Sequence, residues 1–450
     1  MVRMKRLVAT LVISCLVLAA PARAQSILRD AETESLFADM ARPIVLAAGL
    51  DPRHAKVVLI QDDSINAFTA GGETVYVHSG LMAAADNANQ VQGVIAHEFG
   101  HVADGHVALG DAGGKPAMGI SILSMVLGIA AMAAGAGEAG AGILAAGQQA
   151  AMGNYLSYSR TIEATADASG AMYLNRAGIS GKGMLDFFKK LQSEEYAYGL
   201  KNIDPYAQSH PLSGTRIATL SHDLQSAPSW NTPPDPALNA RFQRVKAKLV
   251  GYVEETKITL NAYPEKDQSI PAHYARAYAW HKGGYPEKAA AETAALIKAS
   301  PHDPYFLEIE GQILLESGKP KEALVPLREA TQATNFQPLI ATTFGHALIA
   351  TEDKANYPEA EKVLRQAVAR DDENPFAWYQ LGTVYDLKGD VARAALATAE
   401  RASMTGDPGL ALRSAQTAMG GIPPNTPDWI RAQDILLVSQ DQISNKKKRR

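Results

Sequence analysis

His97-Glu98-Phe99-Gly100-His101 is the stretch on which the reading of this chain turns. It lies within Leu81 to His106, a segment without internal proline that reads as helical. On a helix, a spacing of four puts His97 and His101 on one face, one turn apart, so both imidazoles reach one point. Zinc accepts neutral imidazole nitrogen and tolerates an open position, so the pair is a candidate metal site. Glu98 sits beside that face, where a carboxylate could take a proton from an activated water and pass it on.

Two histidines do not complete such a site. A histidine six residues after His101 would be one source of a third ligand, but Val107 stands there and His106 is one residue out of register. The other source is a carboxylate on a later helix. Glu163-Ala164-Thr165-Ala166-Asp167 supplies Glu163 as ligand. Asp167, four residues on and on the same face, could accept a hydrogen bond from a ligand histidine's distal N–H. Alone, such a Glu/Asp pair is an ordinary solvated helix face; beside the histidine pair it becomes a ligand helix. The expectation is one Zn2+ per chain on His97, His101 and Glu163.

Working toward the N-terminus, Thr74-Val75-Tyr76-Val77 is β-rich and follows the turn signal Gly71-Gly72, and Lys56 to Ile60 suits a strand. Ser35 to Leu50 reads as a helix interrupted or kinked at Pro43. Arg3, Lys5 and Arg6 precede the apolar run Leu7 to Ala20 and the small-residue site Ala22-Arg23-Ala24. Residues 1–24 are therefore expected to be an export signal cleaved near Ala24. The only cysteine, Cys15, falls inside it, so no disulfide is expected afterwards.

Toward the C-terminus, Ser226 to Pro236 is rich in proline and serine, and Pro236 to Gly251 reads as a helix. A repeat follows. Gly284 and Gly318 are 34 residues apart, as are Ala289 and Ala323, and Gly311 and Gly345. Gly345 to Gly382 and Ala323 to Ala360 are both 37, which places a small insertion near Asp353 to Asn356. Together with the aromatics Tyr278, Tyr305, Phe344 and Tyr379, this period is similar to tetratricopeptide repeats, helix pairs that bury their apolar faces on their neighbours. Asp303-Pro304-Tyr305 and Asn374-Pro375-Phe376 fit the starts of first helices.

A chain of 450 residues with 46% hydrophobic and 20% charged residues is expected to form two globular domains. The domain limits read as 25–260 for a mixed α+β domain and 265–435 for an all-α repeat domain. A solvated basic tail at 436–450 ends in Lys446 to Arg450. A net charge of −4 gives no global pull toward nucleic acid, and none is expected as a partner. Ala117 to Ala136 is apolar and roughly membrane-spanning in length, but one crossing would separate His101 from Glu163. A helical flap over the site is the favoured expectation, with contact at a bilayer surface and a hairpin span as alternatives.

The metal helix combines with Ser159-Arg160-x-x-Glu163-x-x-Ala166-Asp167, Asn66-Ala67-Phe68, Gly71-Gly72, Ser209-His210-Pro211 and Arg216-Ile217. This constellation resembles the M48 family of zinc peptidases, and within it the periplasmic branch with C-terminal tetratricopeptide repeats, the β-barrel assembly-enhancing type. The resemblance implies a gluzincin fold, a small sheet packed on the metal and glutamate helices. Substrate would pair along an edge strand, for which Thr74, Val75, Tyr76 and Val77 are the candidates. It implies a zinc endopeptidase of the periplasm acting on unfolded or misassembled envelope polypeptides. Outer-membrane β-barrel proteins and their assembly machinery would be clients or partners of the repeats. For His210 it leaves two roles: donor to the oxyanion, or occupant of the metal's open position that holds the enzyme latent. Arg160 and Arg216 are candidate supports. A chaperone-like factor with latent proteolysis is the alternative, though intact ligands and Glu98 argue that catalysis is kept.

Overall fold

The structure, a computed structural model, describes residues 26–106, 118, 120–129, 137–198, 210 and 213–448. The expected export signal, Ser209, Pro211 and part of the Ala117–Ala136 stretch lie outside these residues. The chain divides into two compact units, Met1–Leu28 with Ala41–Pro233, and Arg29–Met40 with Pro234–Arg450.

The first unit holds a four-stranded sheet of β1 (Ser26–Leu28), β2 (Lys56–Gln61), β3 (Ala67–Thr69) and β4 (Thr74–His78) in the order β1-β2-β4-β3. Strand β4 runs parallel to β2 and antiparallel to β3. Alternation puts Val75 and Val77 on the core face, where both are fully buried. This order corrects one expectation. Thr74 to Val77 cannot serve as an edge, because both sides of β4 already spend their N–H and C=O groups on β2 and β3. Among the described strands the edges are β1 and β3.

Helix α1 (Ala31–Ala47) carries Pro43 within it. The stretch read as one helix from Leu81 is two, α2 (Ser79–Ala84) and α3 (Ala88–Ala103). Ala85 is extended, and the Asn87 side chain caps α3 by accepting from the Gln90 N–H, so local side-chain bonding wins over helix continuation. Every residue of α3 from Ala88 to His101 is buried. Residues 120–129 are helical (α4), followed by the 40-residue α5 (Gly137–Arg176), then α6 (Lys182–Tyr198) and α7 (Gly214–Ser226). Asn89 of α3 ties down the start of α6, donating to Ser180 O and accepting from Gly183 N, both at 2.8 Å.

The second unit is helical throughout. It runs through α8 (Pro236–Val253), α9 (Thr256–Ala262), α10 (Ile270–Lys282), α11 (Pro286–Ala299), α12 (Pro304–Glu316), α13 (Pro320–Ala333), α14 (Pro338–Ala350) and α15 (Tyr357–Arg370). It closes with α16 (Pro375–Leu387), α17 (Val391–Met404), α18 (Pro408–Gly421) and α19 (Pro427–Lys448). Asp303 and Asn374 cap α12 and α16 with proline at the first helical position, as the sequence predicts. The 34-residue glycines have two separate causes. Gly284 and Gly318 stand at φ 77° and 75° in the turns after α10 and α12, a conformation costly for other residues. Gly311 and Gly345 are crossing points, where a Cβ would come within 2.4 Å and 2.5 Å of Leu327 and Leu364. The expected insertion is a 3-10 turn at Lys354–Asn356.

Two boundaries move. The units divide at Pro233/Pro234 rather than near 260, because α8 packs on α10 and completes the first helix pair. Residues 29–40 also join the repeats: buried Glu32 meets Arg244, Lys248 and the Tyr274 hydroxyl, and Asp30 pairs with Lys248 at 2.5 Å. The stretch from 436 is no free tail; α19 continues to Lys448, and Leu436 packs against the last core cluster beside Ile435.

Candidate metal centre

Helix α3 presents His97, Glu98 and His101, and α5 presents Glu163 and Asp167. The two helices approach closely because glycines face them. A Cβ on Gly100 would lie 2.7 Å from the Ala166 carbonyl oxygen, and one on Gly170 would lie 3.0 Å from the His97 nitrogen. The same Gly100 that occupies a free position of the His-Glu-x-x-His pattern thus admits the glutamate helix.

His97, His101, Glu163 and His210 are all buried, and one donor atom from each lies within 4.8 Å of the others. His97 Nε2 is 3.2 Å from His101 Nε2, 3.4 Å from Glu163 Oε2 and 3.3 Å from His210 Nδ1. Glu163 Oε1 is 3.4 Å from His101 Nε2, and Oε2 is 3.0 Å from His210 Nδ1. Nitrogen and carboxylate oxygen atoms converging at these separations are the donors that zinc takes from histidine and glutamate. The donor set therefore fits a divalent metal.

The electrostatics ask for a cation in the same place. Burial disfavours a charged His97, but Asp167 and Glu163 outweigh it and raise its pKa to about 9. Burial, with the neighbouring His97, pushes His101 down to about 2. Against the cost of burial, His210 and His97 hold Glu163 well below the usual carboxylate range. Nitrogens crowded around one carboxylate cannot all carry protons, so a metal ion suits the cluster better than the protons do.

Asp167 and Arg216 form the layer behind the ligands. Asp167 Oδ1 is 3.0 Å from His97 Nδ1, which directs the Nε2 lone pair at the cluster centre. Arg216 of α7 donates to both Asp167 oxygens at 2.5 and 2.9 Å, lies 3.0 Å from Glu163 Oε2, and donates to the His210 carbonyl at 3.2 Å. Its guanidinium lies 5.6 Å from the centre of the Phe188 ring, which also meets His97 edge-on. Glu98 is buried at 1% exposure, and neither carboxylate oxygen has a hydrogen-bond partner among the described residues. Its Oε1 is 3.7 Å from His210 Nε2, and burial raises its pKa.

Of the residues singled out in the sequence, His97, Glu98, His101, Glu163, Asp167, His210 and Arg216 come together. Arg160 does not: it is exposed on α5. Two residues escaped the sequence reading. Phe188 carries no motif. His106, set aside for want of a spacing argument, has Nδ1 3.1 Å from His101 Nδ1; its position five residues after His101 was the available signal.

Residues 28–224 match the model of peptidase family M48. The chain carries an M48 peptidase domain. It is a metalloendopeptidase followed by tetratricopeptide-like helical repeats. The β-barrel assembly-enhancing protease of Escherichia coli K12 is 26% identical over 380 residues, 81% of this chain and 71% of that one. The Yersinia pestis protein of the same name is 24% identical over 77% of this chain and 71% of its own. The E. coli metalloprotease LoiP is 33% identical over 171 residues, 37% of this chain and 60% of that one. Among solved structures, YrrB, a TPR protein, is similar at 21% identity and a TM-score of 0.33, over 39% of this chain and 91% of that one.

Proposed function

We propose that the M48 domain is a zinc endopeptidase in which His97, His101 and Glu163 hold the metal and Glu98 moves the proton. The observation that carries this is Glu98 itself: a buried carboxylate whose oxygens have no hydrogen-bond partner among the described residues, beside four converging donor residues. Zinc bound there would supply an acidified water and polarise the substrate carbonyl. Glu98, its pKa raised by burial, is suited to take that water's proton and to deliver it to the leaving amine. Asp167 and Arg216 hold His97 and Glu163 in place and leave no freedom for the ligand set to collapse.

Substrate would extend along β3. Asn66 O accepts from His78 N at 2.9 Å, so Asn66 and Phe68 turn their main-chain groups toward β4, and Ala67 and Thr69 turn theirs outward. Such an edge reads backbone rather than side chains, which suits unfolded or misassembled polypeptides. The relatives' name, β-barrel assembly-enhancing protease, supports clients among outer-membrane β-barrel proteins and their assembly machinery, with the repeats as the docking element and the periplasm as the proposed site of action.

His210 favours a second state of the same enzyme. Its Nδ1 stands at the fourth corner of the donor set, where a substrate or water would otherwise enter, and Arg216 holds its carbonyl. We read it as a latch, which keeps proteolysis latent while the repeats bind. Metal analysis and digestion of an unfolded protein, on wild type, Glu98→Gln and His210→Ala together, test the reading. Glu98→Gln should keep its metal and lose at least about a hundredfold in rate. His210→Ala should cleave faster than wild type. Normal digestion by Glu98→Gln would remove the base, and a slower His210→Ala would make His210 an oxyanion donor instead.

A further inference from the structure

Between Lys115 and Arg160 the chain carries one charged residue, Glu138, in 44 positions. Within this stretch α4 is built inside out. Ser124 and Gly128, four apart, are its buried residues, while Ile122, Leu123, Met125, Val126, Leu127 and Ile129 are all about half exposed or more. The inner face meets α5 at Gly147, where a Cβ would fall 1.9 Å from that of Ser124. The Ser124 hydroxyl donates to Ser121 O at 3.0 Å, so its polar group is satisfied within its own helix. On α5, Ile143 and Met152 face outward, at 36% and 59% exposure, and Ala151 is buried.

Helices that fold in water place large apolar residues inside and charges outside. Small residues at the crossing, a serine bonded back to its own turn and large apolar side chains outside are the arrangement of helices that pack in lipid. We infer that α4 and the first half of α5 form a hairpin that seats in the acyl boundary of a phospholipid bilayer. A polypeptide-binding patch would be rimmed by polar and charged residues, and the sequence from 116 to 159 supplies Glu138 as its one charge. The depth is limited. Ten residues of helix span about 15 Å, half of a hydrocarbon core of about 30 Å, and no helix among the described residues is long and apolar enough to cross a membrane. The hairpin lies in one face of the bilayer. The inference stands apart from the peptidase reading, since it uses no residue of the metal centre.

The test is flotation with vesicles of phosphatidylcholine, and of phosphatidylethanolamine with phosphatidylglycerol, for wild type and Leu123→Glu/Val126→Glu. Both side chains are about 60% exposed, so the fold should tolerate the changes, and circular dichroism and metal content check that. Wild type should float with both vesicle types and at high salt, and the double variant should partition about tenfold less or worse. A second readout places an environment-sensitive dye at Met125→Cys in a Cys15→Ser background. Its emission should shift to the blue on adding vesicles and become shielded from an aqueous quencher. No flotation, or flotation with an unchanged dye, would overturn the inference. So would salt-sensitive binding to anionic vesicles alone, which points to the basic end of α19. Failure of the double variant to digest an unfolded protein without lipid, or loss of a dimer, with no vesicle binding in wild type, would reassign the surface to polypeptide or to a second copy.

Discussion

Asp167 works through another residue. It is 3.0 Å from His97 Nδ1 and is held by two hydrogen bonds from Arg216. Burial alone would raise its pKa, but Arg216 and His97 lower it, so it stays an anion beside the ligand. Asp167→Asn removes that charge with little change of shape. We expect metal affinity to fall by about 10–100-fold, read by competition with a chromophoric chelator, with the fold unchanged by circular dichroism. An unchanged affinity would show that Arg216 alone positions the ligands. The grouping of His97, Glu98 and His101 was legible because they lie within one helical turn, where spacing in sequence is spacing in space. Phe188 was not legible, because nothing local marks a ring that arrives from another element; His106, five residues after His101, lies past the end of α3, where helical spacing no longer decides which rings meet.

Among elements, the approach of α5 to α3 decides whether the two halves of the site meet. Gly100 faces the Ala166 backbone, which cannot yield as a side chain could. Gly100→Ala should cost about 1–3 kcal/mol of stability and weaken metal binding, because Glu163 is carried away with α5. Gly142→Ala, also on α5 but with open space around it, is the control and should leave both unchanged or improved. Equal behaviour of the two variants in denaturant titration and metal binding would refute the close-approach argument. The strand order belongs to this scale too. Thr74 to Val77 is rich in β-formers, but its place between β2 and β3 is set by pairing with both of them.

At the scale of the whole molecule, the second unit gathers acidic groups around Lys248. Glu308 belongs to them: burial, against the pull of Lys248 and with Asp30, Glu32 and Glu34 nearby, raises its pKa from 4.5 to about 8, and its Oε2 has no hydrogen-bond partner among the described residues. Between these values the unfolded chain has released the proton and the folded unit still holds it. Stability contributed by the neutral form is therefore full below about 4.5 and is lost as pH rises through about 8. Glu308→Gln, which cannot ionise, should melt above wild type at pH 8 and close to it at pH 4.5. A gap of equal size at both pH values would discount the titration of Glu308.

The repeat period, the shared helix face of His97 and His101 and the helix starts at Asp303 and Asn374 were determined by sequence alone, because each rests on interactions within a turn or between neighbouring helix pairs. Tertiary structure decided what depends on contacts between distant segments. Residues 29–40 join the repeats because Glu32 is buried against Arg244, Lys248 and Tyr274, more than 200 residues away. The edge passed from β4 to β3 because strand order is a property of pairing and not of composition. His210 Nδ1 joined the donor set through contacts with Glu163 and His97, 47 and 113 residues away, which no spacing along the chain encodes.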